Sequence, residues 1–135
     1  MSLVLDCSAT LRWDFKDEQD DAAMALLDRV VRYGAVVPFL WRTEVANGLL
    51  VGERRKRLAA ADADAFMLWL ADLPIDDQPP PSWSQMADVR ALARAHKPTI
   101  YDAVYLELAL RLTIPLATFD DALRKAAGAA GVTVV

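Results

Sequence analysis

Two patterns of apolar residues alternate along the chain. Short apolar runs, such as LVL at residues 3–5 and PLA at residues 115–117, are typical of buried strands. Between the short runs, longer segments such as residues 17–33 carry apolar residues three and four positions apart, which predicts amphipathic helices. Strands that alternate with helices in this way predict a mostly parallel sheet covered by helices on both faces.

Turn and cap residues set the limits of the predicted elements. Gly34 marks the end of the first long helix, and Ser82 is a candidate N-cap at the end of a proline-rich stretch whose start is compatible with a short strand. Val31 and Leu50 are among the helix residues expected to face the core. Strands are predicted at residues 2–5, 35–40, 114–118 and 132–135, and helices at 17–33, 42–58, 60–72, 82–96, 99–112 and 121–130. We therefore expect one domain over residues 1–135, an α/β/α sandwich around a sheet of four to five strands.

The composition supports a compact domain. The chain has 135 residues, of which 55% are hydrophobic and 25% charged, so it can form a hydrophobic core without a structural metal ion or disulfide bonds. Charged residues interrupt every apolar stretch well before about 18 residues, so the sequence predicts no membrane span. The N-terminus lacks the basic start and long apolar centre of a signal peptide, and we expect a cytoplasmic protein.

Few residue types remain for catalytic chemistry. Cys7 is the only cysteine and cannot form an internal disulfide, and its position after a predicted strand favours a small buried side chain. His96 is the only histidine, which excludes a His-rich zinc site and disfavours a Ser-His-Asp triad. Any chemistry must therefore rest mainly on carboxylates.

The net charge limits how a nucleic acid could bind. The chain has 15 Lys and Arg residues and 19 Asp and Glu residues, giving a formal net charge of -4 and a pI near 4.9. This is the wrong sign for a protein that holds nucleic acid by charge alone. A polyanionic substrate would therefore need a local basic patch or bound cations.

Four acidic residues lie where predicted strands lead into helices. Asp6 directly follows the first strand and Asp120 follows the IPLAT strand, while Glu44 and Asp102 lie near the beginnings of helices. In open parallel sheets, ligands bind beyond the carboxyl ends of the strands. We therefore expect the four side chains to form one site, although each could separately be a helix cap or a first-turn acid that favours the helix dipole.

A cluster of four carboxylates is suited to divalent metal ions. Carboxylates that lie close together repel one another unless cations are present. Two divalent cations would balance the charge of the four, and oxygen ligands suit Mg²⁺ or Mn²⁺ better than zinc or copper. Two such ions can activate a water and stabilise the leaving oxygen in phosphodiester hydrolysis.

The same segments resemble the PIN-domain family, and in particular its VapC ribonuclease toxins from bacterial and archaeal toxin-antitoxin pairs. The matching segments are LVLDCSA, WRTEVANGLL, TIYDAVYLELAL and LATFDDALRKAA, in the family's order and near its spacing across almost the full chain. The resemblance implies a PIN-like α/β fold and a Mg²⁺- or Mn²⁺-dependent endoribonuclease. It also implies a small cognate antitoxin as partner, and homodimers are common in the family.

Position by position, the resemblance makes the four acids the family's metal-binding and catalytic quartet. Ser8, Thr118 and Asn47 match polar positions that would orient carboxylates, water or phosphate, or would alternatively be local caps. The family's last acid lies two residues after Thr118, which selects Asp120 and leaves Asp121 as a helix cap or an outer neighbour.

Basic residues that could steer RNA fall in three places. They are Arg42 beside Glu44, the cluster at residues 54–57, and a later group of Arg90, Arg94 and Lys97. Such runs are usually solvated helix faces, and the cluster at 54–57 also complements the dipole of the helix that it ends.

Two functions of other classes compete with the nuclease. A non-enzymatic acidic cation-binding domain, such as a phosphoacceptor receiver, would need a pair of acids after the first strand, and Asp6 has no acidic neighbour. A haloacid-dehalogenase-like phosphatase would carry a second aspartate two residues after Asp6, where this chain has Ser8. Both mismatches favour the nuclease.

Overall fold

The computed structural model describes every residue from Met1 to Val135. The strands are β1 (Val4–Leu5), β2 (Ala35–Val37), β3 (Ile75–Asp77) and β4 (Leu116–Ala117). The helices are α1 (Cys7–Leu11), α2 (Asp21–Tyr33), α3 (Trp41–Arg54), α4 (Ala60–Ala71), α5 (Trp83–His96), α6 (Ile100–Leu112) and α7 (Asp121–Ala129), with a 3-10 helix at Lys16–Glu18. None of the helices combines the length and apolarity needed to cross a membrane.

The four strands form one parallel sheet in the order β3-β2-β1-β4. Val4 of β1 pairs with Val36 of β2 on one side and with Leu116 of β4 on the other. Because β1 and β4 are parallel neighbours, their carboxyl ends lie side by side, and the amide of Asp6 donates to the carbonyl of Ala117 at 3.1 Å. The segments that follow β1 and β4 therefore start from the same edge of the sheet.

The helices flank the sheet and share one main core with it. Leu3, Val4 and Leu5 are fully buried, so β1 runs through the middle of that core. Helix α6 packs against α5 and also contacts β1 and β4. Its residues from Ala103 to Ala109 are all buried, which makes α6 the helix most deeply set in the fold. The architecture confirms the predicted α/β fold with a parallel sheet flanked by helices.

Besides shorter ends, such as α3 ending at Arg54 and β2 at Val37, the observed elements differ from the predicted ones in three places. The apolar pattern does not predict α1, because a helix of 5 residues is too short to show a helical period. The predicted helix at residues 17–33 is divided into a 3-10 helix and α2, which begins after its N-cap Asp20. The predicted strand at residues 132–135 is reduced to a single bridge between Val134 and Leu116.

Two side chains expected in the core are exposed instead. Val31 is 55% exposed and Leu50 is 40% exposed, whereas the residues just before them, Val30 and Leu49, are buried. Adjacent residues point in directions about 100° apart on a helix. In each apolar pair, the first side chain is therefore buried in the core and the second is exposed at the surface.

Candidate active site

The four predicted acids lie at the beginnings of helices around the carboxyl ends of the strands. Asp6 is the N-cap of α1 directly after β1, and Asp120 is the N-cap of α7 shortly after β4. Glu44 and Asp102 lie in the first turns of α3 and α6. Burial is the main cause that raises the pKa of Asp6, Glu44 and Asp102. The charge of Asp102 also raises the pKa of Asp6 and of Glu44, and the charge of Asp120 also raises the pKa of Asp102. The charge of Asp102 therefore affects the pKa of two of the other acids, and the charge of the fourth affects the pKa of Asp102.

Asp6 is the most buried of the four acids, with 5% of its surface exposed. Its carboxylate accepts hydrogen bonds from the amide of Ala9 at 2.8 Å, from the hydroxyl of Ser8 at 2.8 Å and from the hydroxyl of Thr118. Burial raises the pKa of Asp6 to about 6, although these three hydrogen bonds oppose the shift. The carboxylate thus caps α1 and also lies at the centre of a hydrogen-bonded group.

Ser8 and Thr118 join the end of β1 to the turn after β4. The Ser8 hydroxyl accepts from the amide of Phe119 at 3.1 Å, and the Thr118 hydroxyl accepts from the amide of Asp120 at 3.1 Å. Since both hydroxyls also donate to Asp6, the turn that carries Asp120 is held against the first acid. This geometry fits the orienting role that the sequence predicts for the two hydroxyl residues.

Asp120 is exposed, and its position is set by local contacts. Its carboxylate accepts from the amide of Leu123 at 2.8 Å, which caps α7. The side chain of Arg124 donates to the carbonyl of Thr118 at 2.9 Å and so supports the same turn from the other side. Sequence reasoning missed Arg124, because a basic residue in the first turn of a helix has no pattern that marks it.

Glu44 is held by a buried tyrosine. The hydroxyl of Tyr105 on α6 donates to Glu44 Oε1 at 2.6 Å, and the tyrosine itself is only 1% exposed. Burial raises the pKa of Tyr105, and the neighbouring Glu44 charge raises it further, so the phenol stays protonated and acts as a donor. Sequence reasoning missed this residue as well. The signal that could have found it is its spacing three residues after Asp102, which puts both on one face of α6.

Asp102 begins a helix whose remaining turns are buried. The hydroxyl of Thr99, the N-cap of α6, accepts from the amide of Asp102 at 3.1 Å and fixes the helix start. Burial of the half-buried side chain raises the pKa of Asp102, and the charge of Asp120 adds to the effect. Beside the acids, burial raises the pKa of the Cys7 thiol to about 12, with smaller contributions from Glu44 and Asp6. The thiol is therefore protonated and a poor nucleophile at neutral pH.

The remaining predicted site residues lie outside this hydrogen-bonded group. Asn47 and Asp121 are exposed and make no side-chain hydrogen bonds. Arg42 pairs with Asp77 at the end of β3, where its Nε donates to Asp77 Oδ1 at 3.1 Å. This pair lines an apolar cavity of about 230 Å³ that also involves Trp41, whereas Ser8 and Asp120 line a different groove.

The four carboxylates have no basic partner, since none of them takes part in an ion pair with a Lys or Arg. In their present positions no three Asp, Glu, His or Cys side chains converge closely enough to hold a metal ion. The donor set still fits Mg²⁺ or Mn²⁺, because all its atoms are carboxylate oxygens. Burial raises the pKa of Asp6, Glu44 and Asp102, and a cation would relieve that penalty.

Comparison with known proteins places the chain among PIN domains. The family model described as PIN domain matches residues 3–129. The crystal structure of PAE2754 from Pyrobaculum aerophilum has a TM-score of 0.70 at 22% identity, covering 99% of this chain and 83% of that one. The crystal structure of FitAcB from Neisseria gonorrhoeae has a TM-score of 0.67 at 18% identity, covering 99% and 96%. At these identities the two structures show a shared fold. No curated protein sequence matches the chain significantly.

Proposed function

The chain belongs to the PIN domain family, and we propose that it is a Mg²⁺- or Mn²⁺-dependent endoribonuclease. PIN domains are generally nucleases that hydrolyse phosphodiester bonds. The observation that carries the proposal is that four carboxylates without a basic partner lie at the beginnings of helices around the carboxyl ends of the strands, where a parallel sheet binds its ligands.

Each acid has a part in this proposal. Asp6, Asp102 and Asp120 would hold the principal ion, and Glu44 would bind a second ion or position the attacking water. When bound, such ions activate water for attack on phosphorus and stabilise the leaving oxygen. No side chain serves as the nucleophile, which agrees with the protonated state of Cys7.

The hydroxyl donors around the acids keep their carboxylates in place. Ser8 and Thr118 each donate to Asp6, and together with the α1 cap they leave that side chain little freedom to rotate. Tyr105 occupies one oxygen of Glu44, so the other oxygen is available to a ligand. Carboxylates that are oriented in advance bind a cation at a lower entropic cost.

We also propose that the nuclease is the toxin of a toxin-antitoxin pair and acts on RNA in the cytoplasm. The resemblance of its four segments to VapC toxins supports this role. A small cognate antitoxin and a second copy of the chain are the expected partners. Exposed apolar side chains on α4 are consistent with a protein partner, since Met67, Leu68 and Trp69 are 41%, 74% and 38% exposed.

RNA cleavage by the purified protein tests the proposed activity. The wild type should cleave RNA with Mg²⁺ or Mn²⁺ and stop when EDTA is added. Asp102→Asn keeps the side-chain size but removes the central charge, and we expect cleavage at least about 100-fold slower. Asp64→Asn makes the same change at an exposed position of α4 and should leave the rate unchanged.

Four outcomes would contradict parts of the proposal. Undiminished cleavage by Asp102→Asn, or cleavage in EDTA, would exclude the metal-dependent mechanism. Binding of Mn²⁺ without any cleavage would instead support the non-enzymatic cation-binding domain. If the purified protein cleaves RNA but its expression in cells does not arrest growth, the toxin role would be contradicted.

A further inference from the structure

A groove of about 410 Å³ lies next to the acidic site and shares Ser8 and Asp120 with it. Its walls come from α1, the 3-10 helix, α3 and the turn before α7. Three arginines line it, namely Arg12, Arg55 and Arg57. Glu18 and Asp120 also line the groove, so arginines outnumber acids among its lining residues, in contrast to the chain as a whole, whose net charge is -4.

Two of the three arginines are held in place by rings and carboxylates. The guanidinium of Arg12 lies 4.0 Å from the ring centre of Phe119 and pairs with Asp20 at 3.2 Å. The guanidinium of Arg57 lies 4.0 Å from the ring centre of Phe15, and its carboxylate partners are Asp17 and Glu18. Stacking occupies the face of a guanidinium and leaves its edge donors for anions. Exposed ion pairs of this kind are worth about 0–1 kcal/mol, so a polyanion can readily replace the carboxylates.

Arg55 differs from these two, because it is exposed and takes part in no ion pair. It is the C-cap residue of α3, one residue after Arg54. Arg54 is also exposed and unpaired but does not line the groove. Arg55 is therefore the one groove arginine whose charge is not already balanced by a carboxylate.

Two glycines of α3 allow the walls of the groove to come close together. A Cβ atom on Gly48 would lie 2.4 Å from Leu11 Cδ1, and one on Gly52 would lie 2.7 Å from Phe15 Cε1. A larger residue at either position would have to displace the ends of the Leu11 or Phe15 side chains. The close packing brings the arginine at the end of α3 into the same groove as the end of α1.

We propose that this groove holds the RNA backbone beside the scissile phosphate, with Arg55 contacting a phosphate of the strand. The inference rests on the proposed ribonuclease function and adds the path of its substrate. A chain of phosphates that reaches the acids through this groove meets the three arginines while its reacting phosphate lies near Ser8 and Asp120. The rest of the acidic surface would repel the strand, which favours this path over others.

Binding of a fluorescently labelled single-stranded RNA to paired variants tests the inference. All proteins carry Asp102→Asn, so that binding is measured with Mn²⁺ present and cleavage suppressed. Arg55→Ala should weaken binding about tenfold, the loss expected for one charge-assisted contact. It should also make the dependence of log affinity on log salt shallower by about 0.7, as expected when one phosphate contact to a single strand is lost.

Arg54→Ala is the matched control, since it removes the neighbouring exposed arginine without touching the groove. Its RNA affinity should stay within about twofold of the parent protein. Equal RNA affinity of the two variants would overturn the inference. This is also the result expected if Arg55 contacts a protein partner and not RNA. Failure of the wild type to cleave RNA would contradict the proposed function separately, because the binding comparison does not depend on cleavage.

Discussion

Replacing Tyr105 by Phe removes one hydroxyl between the core and the acidic site. The phenol donates to Glu44 Oε1 at 2.6 Å while its ring is packed among buried residues of α6. Phenylalanine keeps the ring and its packing, so the change isolates the hydrogen bond. Without the donor, Glu44 loses the contact that lowers its pKa and orients its carboxylate.

The expected cost follows from the charge and burial of the pair. A hydrogen bond to a charged group contributes about 1.5–3 kcal/mol when it is buried. Glu44 is only half-buried, so solvent screens part of the interaction, and we expect the unfolding free energy to fall by about 1–2 kcal/mol. In a domain of this size, each kcal/mol corresponds to about 3–5 °C in melting temperature.

Thermal unfolding and RNA cleavage measure the two consequences. We expect Tyr105→Phe to unfold cooperatively at a lower temperature and to cleave RNA about 10–100-fold more slowly with Mn²⁺, since a ligand orientation is lost. Tyr101→Phe is the control, because Tyr101 lies on the same helix, is 66% exposed and makes no hydrogen bond. If Tyr105→Phe matched the wild type in both assays, the hydroxyl would not support Glu44.

Three further predictions follow from the contacts of the site. Thr118→Val leaves the buried Asp6 carboxylate without one donor and should lower the unfolding free energy by about 1–3 kcal/mol in urea, while Thr118→Ser should restore most of it; equal loss in both variants would contradict this. Burial raises the pKa of Asp6 from 3.8 to about 6, so the folded metal-free protein binds this proton more tightly than the unfolded chain does. The stability that this proton contributes is fully present below pH 3.8 and should be lost as the pH rises through about 6. The change is about 3 kcal/mol, and a flat profile in urea unfolding over that pH range would refute it. Asp120→Asn should slow RNA cleavage strongly and Asp121→Asn should not, and the opposite order would transfer the fourth acidic position to Asp121.

The sequence is most informative where local chemistry decides the structure. The predicted helix at residues 82–96 forms with Ser82 as its N-cap and a reciprocal contact to Gln85, a signal visible in the residues themselves. Helix α6 likewise begins within one residue of its predicted start, with Thr99 as the N-cap. The short helix α1 and the single bridge of Val134 escape prediction, because tertiary packing and not local pattern determines them.

The same distinction holds at the acidic site. The placement of Asp6 and Asp120 at the same edge of the sheet follows from strand ends in a parallel sheet, which the apolar pattern predicts. The spacing of Tyr105 three residues after Asp102 places it on the same face of α6, but its contact with Glu44 joins residues 61 positions apart and depends on how α3 and α6 pack. The groove with Arg55 depends on the approach of α1 to α3 across two glycines, and this too is a property of packing.

The location of Mn²⁺ in crystals of the protein is the decisive test of the proposed metal site. We expect an anomalous scattering peak among the carboxylates of Asp6, Asp102 and Asp120, with Glu44 turned toward it or toward a second peak. Ordered crystals soaked in Mn²⁺ that showed no peak at these acids, or a peak only elsewhere on the surface, would contradict a metal-dependent site built from them.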